Sequence, residues 1–517
     1  MDDRNDYLDN SRPLDVWQRS DHPKALAAAK KVARFIQEQL ESTSSNGKRA
    51  APKEEQQSER SGRESPIVRL PSSRGGGRKK FDNHLLRVLW DLAISQFDSE
   101  GNLLPRNCIP WIAIQLSDEA SLRNDSRYNK CHWKPSQLRA VTDVLHLLGL
   151  IHKSPYKYVR EGGFEDGMSF STRILGTNLL WDMLYSVTPC MIEHDPDEEL
   201  VVLVEKINKK RKLLEYDDNL HPEIPSIREN LAEINSLLSD LSISLPLTLD
   251  LQAEINEERL RKGKRPCDFN IPPGTRMHYA RIFQDSFTTC GRFYGPWFQN
   301  IPAEARPYLK LEHKPTTIKT AGHGIDYENW GTSEIDFSSL HPVLLYAQAG
   351  INIATDPYTI PGYETPHERN ALKLVFQLLI NCKSLNSAKK AARRNKKLGQ
   401  KYAYLIEPLI DFHAPIKDRF FQDGQTGKEL QLIDSNIAEQ VLLNFGRKGF
   451  PCLTIHDSFI TWDCLESMLT MEMDQALWTL YPNFKPEMTL YKVKRSDGST
   501  GTKEGIFTYS GEDDFDC

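Results

Sequence analysis

Apolar residues recur along the chain at helical spacing in some stretches and alternate in others, and the changes between the two periods mark its parts. "HPKALAAAKKVARFIQEQLES" has helical spacing and reads as one isolated amphipathic helix in an otherwise polar region, residues 1–80. Residues 41–80 are rich in Gly, Ser and Arg, with little to bury, which predicts disorder. From 81 to 190 the pattern predicts a helix in "NHLLRVLWDLAISQF" and a second in "KPSQLRAVTDVLHLLGLIHKSP", which ends at Gly149 and runs into a short strand. Strands follow in "KYVREGG" and "MSFSTRILGT", then a helix in "NLLWDMLYS". Residues 196–262 space Val, Ile and Leu in a heptad-like way among Lys and Glu, which predicts two or three long antiparallel helices. Beyond them, "SEIDF" and "LTIHD" are short β-prone runs that each end on an acidic residue, Asp336 and Asp457.

Composition narrows the class. At 517 residues the chain exceeds what one core usually holds, so two or three structured units are expected. Hydrophobic residues make up 39% and charged residues 26%, the balance of a soluble intracellular protein. A net charge of -5 does not advertise nucleic-acid binding, but the basic residues are clustered. The nine cysteines are scattered with no CxxC pair, which argues against a zinc site or a disulfide framework and suits a reducing cytoplasm. No apolar run approaches the roughly 20 residues of a membrane span, and the acidic start "MDDRNDYLDN" is unlike a signal peptide. A cytoplasmic protein without a membrane partner is expected.

Candidate chemistry begins with "FTTCGRFYGPWFQNIP", residues 287–302. Thr289, Gly291 and Arg292 followed by Gln299-Asn300-Ile301-Pro302 resemble the Thr-x-x-Gly-Arg…Gln-Asn-Ile-Pro element of family A DNA polymerases. The resemblance implies that Arg292, Gln299 and Asn300 approach the primer-template minor groove, where acceptors are similar for every base pair and shape can be checked without reading sequence. "IDFSSLHPVLLYA" is similar to that family's motif A and "TIHDSFI" to its motif C. Taken alone, "HDS" reads as a turn and "DFSSL" as a helix N-cap. Together and in the family's order they imply that Asp336 and Asp457, with the Phe337 backbone carbonyl, hold two Mg²⁺ ions about 3.5–4 Å apart, with Mn²⁺ as a substitute. His456 would stand beside the nucleic acid.

Between the two aspartates, "HERNALKLVFQLLINCKS" places Arg369 and Lys373 four apart on one helical face, where both can meet triphosphate oxygens. It resembles motif B, with Phe376 as the aromatic residue that stacks on base or sugar, although the family puts its aromatic one position later and closes with Tyr-Gly. The basic run "AKKAARRNKK", residues 388–397, is a solvated helix face or a template contact. "LQLIDSNIAEQVLLNF" precedes motif C as the family's palm helix does, which turns Asp434, Ser435 and Gln440 toward the primer terminus. His341 stands at the sugar-gate position, large enough to exclude a 2′-hydroxyl yet able to hydrogen-bond one. Ser458 replaces the glutamate that follows His-Asp in the DNA enzymes, and "IHDSF" with "GRFY" is similar to single-subunit phage-type RNA polymerases.

The expected fold is α+β: a right-hand polymerase, with an antiparallel palm sheet and helical fingers and thumb, preceded by a winged-helix-like module. Its parts are a largely disordered 1–80 with one short helix, a winged-helix-like 81–190 and a helical thumb at 196–262. Palm follows at 263–340 and 431–517, the latter ending in the acidic tail "SGEDDFDC", with fingers at 341–430. A proofreading exonuclease would need a further acidic α/β domain, for which the segment ahead of the thumb is too short. The function implied is primer-dependent DNA synthesis on a primer-template from nucleoside triphosphates, by a monomer in a bacterial or phage-infected cell, with 81–190 recruiting DNA or a replication protein. An RNA polymerase or primase is the alternative, and a non-catalytic DNA-binding replication protein a second.

Overall fold

Two units divide the chain, residues 1–199 with 270–276 and residues 200–269 with 277–517. The computed structural model describes residues 11–46, 76–97, 101–114, 126–154, 157–159, 168–170, 172–207, 210–264, 266–267, 269, 276–313, 330–395, 398, 400–484, 491–497 and 499–503. Of residues 41–80, expected to be disordered, 41–46 and 77–80 are helical, and 47–75, like the acidic tail beyond 503, lie outside the described residues. Among the described residues no helix is long and apolar enough to cross a membrane. Helices and sheets are mixed throughout, so the chain is α+β.

The first unit starts with β1 (Ser11–Pro13), β2 (Gln18–Arg19) and α1 (Pro23–Asn46). It continues with α2 (Gly77–Ile94), β3 (Trp111–Ile114), α3 (Pro135–Leu147) and β4 (Ile151–Ser154). A hairpin of β5 (Lys157–Val159) and β6 (Met168–Phe170) leads to β7 (Thr172–Gly176), α4 (Asn178–Leu184) and β8 (Glu193–His194). The sheet order is β1-β3-β7-β4, with β1 parallel to β3 and the other pairs antiparallel. The N-terminal helix is not isolated, contrary to expectation. Its apolar face, Ala25, Ala28, Ala29, Val32 and Ile36, is buried in one core with Phe81, Leu85, Val88 and Leu89 of α2. Its small side chains need a bulky partner to exclude water, and that partner lies beyond the polar linker.

In the second unit the segment read as the first thumb helix is instead a hairpin, β9 (Val201–Ile207) and β10 (Lys210–Leu213). The reason is local. Val201, Val202 and Val204 are β-branched and stiff at χ1, and they fit a pleated surface better than a helix. β9 then runs parallel to β12 (Ala280–Gln284), Val201 opposite Arg281. Among the described residues the α-helices here are α5 (Ile224–Ser239) and α6 (Leu249–Arg261), separated by β11 (Leu241–Ser244), so the run of long antiparallel helices expected for 196–262 is not formed. β13 (Ser286–Tyr294) completes the sheet β10-β9-β12-β13, and β14 (Lys310–His313) pairs with β11.

The rest of this unit is a five-stranded antiparallel sheet with helices around it. In chain order come β15 (Thr332–Phe337), α7 (Leu340–Gln348), α8 (Pro366–Asn381), α9 (Leu385–Arg394), α10 (Ile406–Phe412) and α11 (Gln425–Arg447). β16 (Leu453–Ile455), β17 (Ser458–Trp462), α12 (Glu466–Leu480), β18 (Tyr491–Arg495) and β19 (Thr500–Lys503) follow. The order β16-β17-β15-β18-β19 makes β15 central, and α11 packs on β13 and α12.

Arg281 joins these layers. It is 1% exposed, donates to Gly291 O at 2.9 Å, Glu439 Oε1 at 2.8 Å, Ser435 Oγ at 3.1 Å and Asn436 Oδ1 at 2.9 Å, and lies against the Phe283 and Phe293 rings. Breaking such a pair strands a buried charge, so Arg281→Leu is expected to lower unfolding stability by about 3–5 kcal/mol in urea titrations. Arg281→Leu with Glu439→Leu should lose less than Arg281→Leu alone, and an equal or larger loss would show that the guanidinium matters only as volume.

Candidate functional site

Alternation along β15 points Glu334 and Asp336 to one face, with Ile335 and Phe337 buried on the other. The antiparallel register sets Asp336 opposite Ser458 of β17 and Lys492 of β18, and Glu334 opposite Lys494. The β16–β17 turn is two residues long, His456-Asp457, with Ile455 opposite Ser458 and His456 at φ 61°. Phe337 N lies 3.5 Å from Asp457 O, so the turn abuts the end of β15.

The three acids are treated differently. Glu334 accepts from Arg306 Nη1 at 2.9 Å, from Ser458 Oγ at 3.0 Å and from Lys494 Nζ at 3.5 Å. The Asp336 and Asp457 carboxylates have no hydrogen bond or ion pair among the described residues. Burial pushes the Asp336 carboxyl up to about 7; the charges of Asp457 and then Glu334 push the same way, and Lys373 and Lys494 act against them. Lys492 is held below the usual lysine range by burial and by the neighbouring Arg369 and Lys373 charges. A cluster of cations thus flanks two carboxylates that lack protein partners among the described residues. Among the described residues no group of three or more His, Cys, Asp or Glu could by itself hold a metal.

Of the motif B residues, Lys373 on α8 is exposed and close enough for its charge to be felt at Asp336. Arg369 pairs with Asp356 and lies 5.7 Å from the Tyr358 ring centroid. Phe376 does not do what the motif implies. It is fully buried, edge-on to Tyr358, His413 and Phe420, and has no face to offer a base.

A second set of predicted residues meets at Asp434, which is buried on α11. Its carboxylate accepts from Arg292 through Nε at 3.1 Å and through Nη2, and lies 3.2 Å from His341 Nε2. Arg292 is also close enough to act on Asp457 and His456. Burial, then the Arg292 charge, holds the His456 imidazole below its usual pKa, and its ring meets Tyr294 edge-on. His341 Nδ1, His456 Nδ1 and Gln440 Oε1 are buried atoms with no hydrogen-bond partner. Gln299 corrects another expectation. Its amide donates to Phe293 O at 3.2 Å and Thr454 O at 3.1 Å and accepts from Gly295 N at 3.0 Å, so it is not free to probe a minor groove. Asn300 beside it is exposed.

Sequence reasoning missed Glu334, Arg306, Lys492 and Lys494. Their signal was present: "YKVKR" alternates apolar and basic residues as a half-buried strand does, and Glu334 is two residues before Asp336.

No protein-family model matches the chain, and no curated protein sequence matches it. Among solved structures it is similar to the POL domain of Pol1 from M. smegmatis in complex with DNA primer-template and dNTP, at 12% sequence identity and a TM-score of 0.28, over 44% of this chain and 48% of that one. The chain spans about half the length of that structure, and at this score the likeness establishes neither fold nor activity.

A carboxyl that ionises later in the folded than in the unfolded chain makes folding less favourable as pH rises from its unfolded pKa, near 4, to its folded one, about 7. Asp336→Asn should therefore match wild type in thermal unfolding at about pH 4, gain on it as pH rises, and stay about 1–3 kcal/mol more stable above pH 7. A variant that loses stability at pH 8 would show the two carboxylates not to repel.

Proposed function

We propose that the chain is a template-directed nucleotidyltransferase, a primer-dependent DNA polymerase that uses two divalent metal ions and does not proofread. The observation that carries this reading is the carboxylate pair Asp336 and Asp457, held at adjoining strand ends without a protein partner among the described residues and flanked by Lys373 and Lys492. Crowded hard-oxygen donors of this kind fit Mg²⁺ or Mn²⁺, which take two carboxylates and complete their shells with water and substrate phosphates. Asp336, Asp457 and the Phe337 carbonyl would hold the metal, which when bound supplies charge neutralisation at the attacking 3′-oxygen and the departing pyrophosphate.

The protein's own groups do the rest. Lys373 and Lys492 meet triphosphate oxygens as point charges, and Arg369 adds a planar fork once it leaves Asp356. Arg292, clamped by Asp434, faces the His456-Asp457 turn and steadies the duplex end there. His341, clamped by the same carboxylate, serves as the sugar gate. The sheet of β15, β17 and β18 is the palm, and the helices from α8 to α10 are the fingers. The run from α2 through β3 and α3 to β4 and β7 in the first unit is read as the winged-helix-like module, and it would recruit DNA or a replication partner.

One observation favours the alternative, an RNA polymerase or primase. His341 Nδ1 is buried without a partner and would accept a hydrogen bond from a 2′-hydroxyl.

Primer extension on a DNA template with Mg²⁺, offering dNTPs or rNTPs with and without primer, separates these readings. Primer-dependent addition of dNTPs is expected, with Asp457→Ala reduced about a thousandfold or more and Lys492→Ala raising KM for dNTP about tenfold. Starts with rNTPs would move the protein to the RNA class. Equal silence of wild type and Asp457→Ala on every template would remove the enzyme reading and favour a DNA-binding protein.

A further inference from the structure

Asp434 holds two residues that reach the candidate site from different stretches of chain, and it holds both through one oxygen. Arg292 Nε donates to each carboxylate oxygen at 3.1 Å, Arg292 Nη2 donates to Oδ2, and His341 Nε2 lies 3.2 Å from the same Oδ2. The Asp434 side chain is 0% exposed, so water does not replace either partner, and the cost of leaving its charge unmet fixes guanidinium and imidazole together.

Both partners are aimed by the backbone. β13 breaks register with β12 at two successive residues in the left-handed region, Cys290 at φ 65° and Gly291 at φ 73°. A Cβ on Gly291 would stand 2.7 Å from the Phe283 ring, so glycine is needed there, and from the next position Arg292 reaches α11. On the other side the chain passes from β15 to α7 through Ser338-Ser339, with Ser339 at φ 62°, and His341 is the second residue of the helix.

Two ring nitrogens beside this ion pair are unmet. A carboxylate only accepts, so His341 Nε2 carries a proton, and in the neutral ring Nδ1 is then an acceptor. That Nδ1 is buried without a hydrogen-bond partner, and so is His456 Nδ1, whose ring lies close enough to feel the charges of Arg292 and Asp434. Unmet polar atoms of this kind suit hydroxyl groups, which donate as well as accept and which a nucleotide sugar supplies.

We propose that Asp434 is the positioning residue for sugar choice: it relays the placement of the duplex end at Arg292 to the sugar gate His341, so that deoxy- and ribonucleotides are told apart only when the duplex end is properly seated. The relay rests on the polymerase reading of this unit. A paired end that leaves Arg292 on Asp434 keeps the carboxylate plane fixed and His341 Nε2 on Oδ2. A mispaired end that draws the guanidinium away frees the carboxylate to rotate, and the imidazole turns with it.

The test is the ratio of kcat/KM for dNTP to kcat/KM for rNTP in primer extension by the full chain, read within each variant so that loss of folded enzyme cancels. His341→Ala should lower the ratio about tenfold or more, and Arg292→Ala about fivefold or more although its place is at the duplex end. Arg292→Ala/His341→Ala should match His341→Ala within about twofold. A mismatched primer end should lower the ratio in wild type and leave it unchanged in Arg292→Ala. Additive losses in the double variant, or an unchanged ratio in Arg292→Ala, would overturn the relay. A second readout needs no catalysis: in the imidazole nitrogen NMR spectrum of the full chain in EDTA, the His341 signal, identified by its loss in His341→Asn, should move in Arg292→Ala. If it moves while wild type is silent on every template, the polymerase reading fails and takes the sugar choice with it, leaving the link between Arg292 and His341. If wild type extends primers and neither ratio nor signal responds to Arg292→Ala, the relay fails and the polymerase reading stands.

Discussion

Repulsion between Asp336 and Asp457 is the constraint that the surrounding architecture has to withstand. Burial, and after it the Asp457 charge, push the Asp336 carboxyl up to about 7, and two such carboxylates separate unless the backbone forbids it. The backbone holds because β15 is the middle strand of five, hydrogen-bonded on both sides, and because the Asp457 turn has only two residues in which to move. Glu334 on the same face adds a third charge that pushes Asp336 the same way, and Arg306, Lys494 and the Ser458 hydroxyl hold it in place. Glu334 is thus tied into protein contacts, while Asp336 and Asp457 have no hydrogen bond or ion pair among the described residues.

Behind that face, two arginines attach β12 and β13 to α11. Arg281 is satisfied by Glu439, Ser435, Asn436 and Gly291, and Arg292 by Asp434. Since Asp434 also holds His341 at the start of α7, one buried carboxylate sets the positions of residues drawn from two distant stretches of chain. Any change at Asp434 would be felt at both, and such groups are not additive on mutation.

Much of the helical part was legible because its boundaries are written in short-range chemistry: Thr365 and Glu368 form a capping box at α8, and Ser384 caps α9. The aspartates were legible for a similar reason, each closing a short β-prone run ahead of a turn. Errors arose where the deciding partner is remote. Val201–Val204 satisfies heptad spacing, and its β-branched residues are fixed as a strand by pairing with β10 and with β12, the latter some eighty residues later. The face of α1 looked unpartnered because Phe81 and Leu85 lie across the linker. Phe376 falls within the apolar arc of Leu372, Val375, Leu379 and Ile380, while Lys373 falls outside it, so the same helix buries one and exposes the other. Lys492 and Lys494 carried the right alternation, but nothing local says which strand they pair with.

The tie at Thr454 has a consequence for how this protein shares space with other chains. β16 is three residues long and forms the border of its sheet. Tyr279 Oη accepts from Thr454 N at 3.0 Å and donates to Thr454 O at 3.2 Å, and Gln299 donates to the same carbonyl. Side chains therefore occupy the outward backbone groups that an open border would offer to a passing strand. The turn bearing Asp457 sits at the end of a sealed border, and a copy of the chain that meets it finds no ladder to extend.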